Sequence, residues 1–252
     1  AQIECGAQAI MIFDTWGVWY DKALFKKEGY KVPTDFQSWM DSMKQIKQKG
    51  KMKPFITTGM YPYYFLRGVL YPAFASAGGE QLLNDVIDGK KGIWKDPKVQ
   101  QVLKNTKKMV DAGYVDSGFG GLSHTQSQTD FLQNKDAYIP VGFWLPAEMK
   151  EDTPEGFKFG FTPTPMNEKG KKMVFVPDLR PVSIAKKAKN PEAAKKFVKF
   201  IFQKKYAKKF SELSGALINL KGVDLKNDAK APDYLKTAND MINTGKVDTV
   251  NK

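Results

Sequence analysis

The sequence predicts an α/β layered fold. Three observations carry this: amphipathic stripes at helical spacing over 33–50, 96–112 and 190–212, short apolar runs bounded by Gly, Pro or charge, and alternation of the two along the chain. The 252 residues, 42% hydrophobic and 13% aromatic, suffice for one large domain or two smaller ones.

Ala9–Phe13 is the first strand candidate. The helix over 33–50 takes Thr34 and Gln37 as a capping box and lays Phe36, Trp39, Met40, Met43 and Ile46 on one face; Gly50 ends it. Phe55–Thr57 is a second strand, and Tyr63, Tyr64 and Arg67 fall on a following helix. Over 96–112, Asp96 caps and Pro97 occupies the first turn; Val99, Val102, Leu103, Met109 and Val110 form the stripe. Ala137–Val141 is a strand that Pro140, lacking a backbone donor, assigns to a sheet edge or keeps short. Phe159–Phe161 and Met173–Val176 follow. Asn190 and Pro191 start a helix over 190–212 with Ala194, Phe197, Val198, Ile201 and Phe202 facing a core. The polar tail from Gly222 holds one helix, Pro232–Asn243. Trp19, Trp39 and Trp94 read as structural residues.

No apolar run approaches the roughly 18–20 residues needed to span a bilayer. The start, Ala1-Gln2-Ile3-Glu4-Cys5, lacks the basic and apolar regions of a signal peptide. Cys5 is the single cysteine, so no intrachain disulfide forms, and Glu4 stands where a lipid-anchor signal wants a small apolar residue. The net charge of +13 suggests a polyanion partner. Only Arg67 and Arg180 among the basic residues are arginines, however, and the lysines come as dispersed pairs such as Lys26-Lys27 and Lys208-Lys209. Recognition of bases and phosphates favours the forked guanidinium. The expectation is a solvated Lys-rich surface and no nucleic acid, with weak attraction to anionic cell-surface polymers left open.

Reacting groups are scarce. The sequence has no Gly-x-Ser-x-Gly elbow, no phosphate-cradling loop and no dinucleotide fingerprint. One His and one Cys do not build a familiar zinc site. Adjacent Ser123 and His124 rarely adopt nucleophile–base geometry, and no carboxylate pair stands out for glycoside hydrolysis. The expectation is therefore no enzyme, no cofactor and no metal.

Three aromatic-plus-polar clusters do qualify for binding. They are Thr15-Trp16-Gly17-Val18-Trp19-Tyr20, then Tyr61-Pro62-Tyr63-Tyr64 with Arg67, and the pair of segments Ser123–Gln128 and Gly142–Glu148. An indole or phenol ring lies flat on the C–H face of a pyranose. His124, Gln126, Gln128 and Glu148 supply directional partners for hydroxyls or an acetamido group. Each cluster taken singly is also compatible with core packing; the three together suggest a sugar cradle, in which Gly17 permits close backbone approach.

The run Trp16–Phe25, followed by Gly29-Tyr30-Lys31-Val32-Pro33, resembles the crossover of extracellular sugar-binding proteins of ABC importers, the family 1 solute-binding proteins. Ala77-Gly78-Gly79, Ala112-Gly113-Tyr114, Gly160–Pro165 and Lys189–Phe197 extend the likeness over most of the chain. His124–Gln133, Ile139-Pro140, Trp144–Met149 and Thr153–Phe157 resemble the branch that binds N-acetylglucosamine and its chitin-derived disaccharide. The resemblance implies a type II periplasmic-binding-protein-like fold of two lobes closing on the sugar. It implies a cleft lined by Trp16, Tyr63, Tyr64, His124, Gln126, Gln128, Trp144, Glu148 and Arg180.

In that family a lobe precedes the crossover, which here begins at Trp16. The expected division is therefore 1–15 as a remnant of the first lobe, 16–172 as the second, ligand-binding lobe, 173–215 as a return segment of the first, and 216–252 as a helical segment on the second. The implied function is carbohydrate capture for ABC permease subunits, by a monomer at the extracellular face of the membrane. The parent would be lipid-anchored, with signal and anchor absent here. A carbohydrate-active enzyme and a Lys-rich polyanion-binding surface protein are the alternatives.

Overall fold

The computed structural model describes residues 10–215 and 224–250. Its spine is the 12-residue strand β1 (Ile10–Asp21). The first part of β1 pairs antiparallel with β6 (Pro177–Pro181), with a register shift between Ile12 and Asp14. Its second part lies between two antiparallel neighbours, β3 (Asp136–Gly142) and β4 (Phe159–Thr162). A short strand β2 (Lys53–Phe55) adds in parallel to β3, giving the order β2-β3-β1-β4. Strands β5 (Met173–Phe175) and β7 (Val247–Thr249) form a separate parallel pair.

Both faces of this sheet are covered, which is why its strands read as apolar runs rather than clean alternations. Val18 and Tyr20 enter one core cluster and Trp19, between them, the other. The first cluster takes Trp39, Met43 and Ile46 from α2 (Phe36–Lys49), Phe74 and Leu83 from α4 (Tyr71–Ile87), and Val99, Val102 and Met109 from α5 (Pro97–Asp111). The second takes Leu235 and Tyr234 from α10 (Asp233–Asn243), whose phenol ring lies 5.1 Å from the indole of Trp19. Trp19 is fully buried and its Nε1 donates to the carbonyl of Val141, 2.9 Å away. The helices α1 (Lys22–Glu28), α3 (Tyr63–Phe65), α6 (His124–Leu132), α7 (Leu145–Glu148), α8 (Pro191–Ile201) and α9 (Lys204–Ser214) complete the order.

Several sequence expectations need correction. The capping box of α2 is Asp35 with Ser38, not Thr34 with Gln37: Ser38 N donates to Asp35 Oδ1, and Asp35 N donates to Ser38 Oγ. Asp35 is the residue that precedes the first helical turn, and its carboxylate reaches the Ser38 amide directly. Pro140 lies in an inner strand. It is tolerated because β2 pairs with β3 only as far as Tyr138, so no ladder partner remains there for the missing donor. The helix over 190–212 is two helices, broken where Gln203 turns extended (ψ 136°) and Phe200 stacks on Tyr206 at 4.0 Å. Its stripe faces no core among the described residues, and Phe197 is 61% exposed. Trp94 is exposed rather than packed. Ala9 and Cys5 lie outside the described residues.

Candidate functional site

The site forms at the end of the sheet where β1 and β3 run side by side. Trp16 of β1 pairs in register with Gly142 of β3. A Cβ on Gly142 would stand 1.8 Å from Cζ3 of Trp144. Only the absence of a side chain there lets the Trp144 indole fold back over its own strand. The folded ring meets Trp16 edge to face, with centroids 4.9 Å apart and planes at 83°. Trp16 is 3% exposed, whereas Trp144 is half-buried.

Two tyrosines continue this aromatic wall from the start of the long helical segment. Tyr64 lies 5.2 Å from Trp16 and 6.2 Å from Trp144, and Tyr63 lies 4.7 Å from Tyr64. Directly after α3 the helix widens into a π-turn, Leu66–Leu70, a feature frequent at functional sites. The guanidinium of Arg67, in this turn, lies 5.9 Å from the ring centre of Tyr63. Gly68 in the same turn packs so closely on β3 that a Cβ there would come within 2.8 Å of Pro140.

The polar side of the site comes from α6 and α7. Ser123 caps α6 by accepting from Gln126 N, which starts the helix at His124. His124 and Gln128, four residues apart, share one helix face. Both reach Glu148 on α7: His124 Nε2 lies 2.9 Å from each carboxylate oxygen, and Gln128 Nε2 donates to Oε2 at 3.1 Å. A carboxylate accepts only, so Nε2 carries hydrogen, and in the neutral ring Nδ1 keeps its lone pair. Tyr64 stacks obliquely on the imidazole with centroids 5.0 Å apart. Polar and aromatic groups therefore share one surface.

Three buried polar atoms of this surface find no partner within the protein: Trp16 Nε1, His124 Nδ1 and Gln128 Oε1. Each such atom costs about 1–3 kcal/mol. All three are closed off from solvent, Gln128 entirely, so the group that a ligand meets on this polar side is the exposed carboxylate of Glu148. Among the described residues no group of three or more His, Cys, Asp or Glu is arranged to hold a metal ion.

The structure thus brings Trp16, Tyr63, Tyr64, His124, Gln128, Trp144 and Glu148 together. It keeps Gln126 out. That residue lies on another face of α6, is exposed, and donates to Asp130 at 3.2 Å. The backbone of Arg180 pairs with Met11 in the sheet, and its side chain lies outside what is described. Close approach at Gly17 serves packing: a Cβ there would meet the Phe161 ring at 2.4 Å. Sequence reasoning missed Gly142, whose signal was a glycine two residues before an indole.

The family described as bacterial extracellular solute-binding protein matches residues 8–208. The chain belongs to this family. The solute-binding protein is 27% identical over 217 residues to the diacetylchitobiose binding protein NgcE of Streptomyces coelicolor, covering 84% of this chain and 46% of that one. It is 26% identical over 221 residues to the multiple sugar-binding protein of Streptococcus mutans, covering 86% and 51%. The chain therefore spans about half the length of these relatives. A solved chitin oligosaccharide binding protein superposes with a TM-score of 0.72 at 20% identity, over 96% of this chain and 59% of that one. The fold is accordingly α/β and periplasmic-binding-protein-like, of type II. Among the described residues no helix is long and apolar enough to cross a membrane.

Proposed function

We propose that this solute-binding protein is the carbohydrate-binding subunit of an ABC importer, and that it captures an amino sugar such as N-acetylglucosamine or chitobiose. The observation that carries the reading is the convergence of Trp16, Tyr64 and Trp144 with the His124–Gln128–Glu148 cluster on one surface. Aromatic faces cover the C–H side of the ring. The exposed Glu148 carboxylate accepts from sugar hydroxyls. Similarity to a diacetylchitobiose binding protein and to a multiple sugar-binding protein supports a sugar ligand.

In this reading residues 16–172 form the lobe that carries the cradle and 173–215 return to the other lobe. The segment 216–252 belongs with the ligand lobe in this reading, since Tyr234 of its helix α10 lies against Trp19 and Phe143. The protein works at the extracellular face of the membrane, lipid-anchored in its parent form, as a monomer that hands sugar to permease subunits. It carries no catalytic residue, cofactor or nucleic-acid partner.

Isothermal calorimetry with N-acetylglucosamine, chitobiose and maltose tests this. Heat of binding with the amino sugars and none with maltose is the expected outcome. Binding of maltose alone, or of no sugar, would overturn it.

A further inference from the structure

The helical segment that carries the aromatic wall lacks a donor of its own. In an α-helix each carbonyl accepts from the amide four residues on. For Gly68 that residue is Pro72, which has no amide hydrogen. The helix widens at the same place: Tyr71 N donates to Leu66 O, five residues back, and makes the π-turn Leu66–Leu70. The Gly68 carbonyl is met from outside the helix instead. Thr164 Oγ1 donates to it at 2.5 Å, in a buried bond that spans 96 residues of sequence.

Thr164 is a fixed post. It lies between Pro163 and Pro165, whose rings set their own φ and restrict the residue before each, and it is 2% exposed. Farther along, its loop is tied to the start of α2. Asn167 Nδ2 donates to Thr34 O at 3.0 Å and to Lys171 O at 2.7 Å, and Phe36 N donates to Asn167 O at 3.0 Å. Gly68 also rests on Pro140, without room for a Cβ. The π-turn is therefore held between β3 and the loop that follows β4.

Tyr63 and Tyr64 stand directly before this turn, 6.4 Å and 5.2 Å from Trp16. We infer that Thr164 is a positioning residue for the ligand site: its hydroxyl stands in for the amide that Pro72 lacks, and so holds the π-turn in the shape that sets Tyr63 and Tyr64 against Trp16. Buried as it is, Thr164 acts through the turn and not by touching the ligand. The inference rests on the sugar reading for the identity of that ligand. Without the hydroxyl a buried carbonyl loses its partner, an unfavourable state that the turn relieves by shifting, and the two tyrosines shift with it.

The test is chitobiose calorimetry and amide hydrogen exchange on the parent, Thr164→Val and Thr164→Ser proteins. Valine keeps the volume and loses the hydroxyl, whereas serine keeps the hydroxyl. Thr164→Val should bind chitobiose about tenfold more weakly and exchange faster over residues 63–70, while α5 exchanges as in the parent. Thr164→Ser should stay within about threefold of the parental affinity and exchange as the parent does over 63–70. A Thr164→Val protein that melts lower but binds chitobiose as tightly as the parent would overturn the inference and leave Thr164 a role in stability alone. Equal weakening by both variants would overturn it too, because the hydroxyl would not be what acts. If Thr164→Val yields no folded protein, Thr164→Ser decides: parental affinity and exchange support the inference, and loss of either overturns it. If the parent binds no sugar, the sugar reading fails by itself. Exchange over 63–70 then decides for Thr164, with faster exchange in Thr164→Val supporting its hold on the wall and unchanged exchange overturning it.

Discussion

His124 Nε2 sits 2.9 Å from both carboxylate oxygens of Glu148. Gln128 donates to the same carboxylate, so two donors from one helix face hold Glu148 in place while its outer side remains open to solvent. Glu148→Gln places an amide where two N–H donors already point, so one contact must break. Sugar affinity should fall by about tenfold to a hundredfold, as measured by calorimetry, with little change in melting temperature. Unchanged affinity would show that Glu148 does not face the ligand.

Gly142 makes a second demand on the site. With Cβ space already filled by Trp144, Gly142→Ala must push the indole off its strand. We expect weaker sugar binding and an altered Trp emission spectrum while cooperative unfolding is retained. A variant that binds as the parent does would mean that the orientation of Trp144 is not set by Gly142.

Most secondary-structure elements were legible in the sequence, because caps and periodicity are local: Asp96 and Pro97 start α5, and Asn190 and Pro191 start α8, as read. The chemical types at the site were legible too, since indoles beside amides and carboxylates are visible without a fold. What put them together was not. Trp16 meets Trp144 through strand register with Gly142, and Gln126 is excluded by its rotation about α6. Pro140 was misplaced because the length of its neighbour β2 is a tertiary fact. The stripe of α8 and the ring of Trp94 show that an apolar side chain announces burial without saying what buries it.

That distinction between Trp19 and Trp94 can be measured. Trp19 is fully buried, with its Nε1 bonded to Val141, and Trp94 is exposed. Trp19→Ala should cost about 3–5 kcal/mol in urea unfolding, and Trp94→Ala no more than about 0.5 kcal/mol. Equal losses would contradict the packing described.

Asp136 should make stability pH-dependent. It is buried at the start of β3, and one of its carboxylate oxygens has no hydrogen-bond partner. Burial, then the Asp116 charge, pushes its carboxyl up to about 7, against the opposing pull of Lys53; Asp130 and Lys135 act in the same opposed way. The folded state therefore holds a proton that the unfolded chain releases near the ordinary carboxylate value. Stability from this group is full below that value and is lost as pH rises toward and through about 7. The melting temperature should drop between pH 5 and pH 8, and Asp136→Asn should flatten that drop, as followed by circular dichroism. A variant with the same pH profile as the parent would remove Asp136 from the account.

The most direct test of the sugar cradle is a chitobiose titration followed by intrinsic tryptophan fluorescence in the parent, Trp144→Ala and Trp94→Ala proteins. The account predicts a saturable change in the parent and in Trp94→Ala, and its loss with at least about tenfold weaker binding in Trp144→Ala. A full response of undiminished affinity in Trp144→Ala would contradict it.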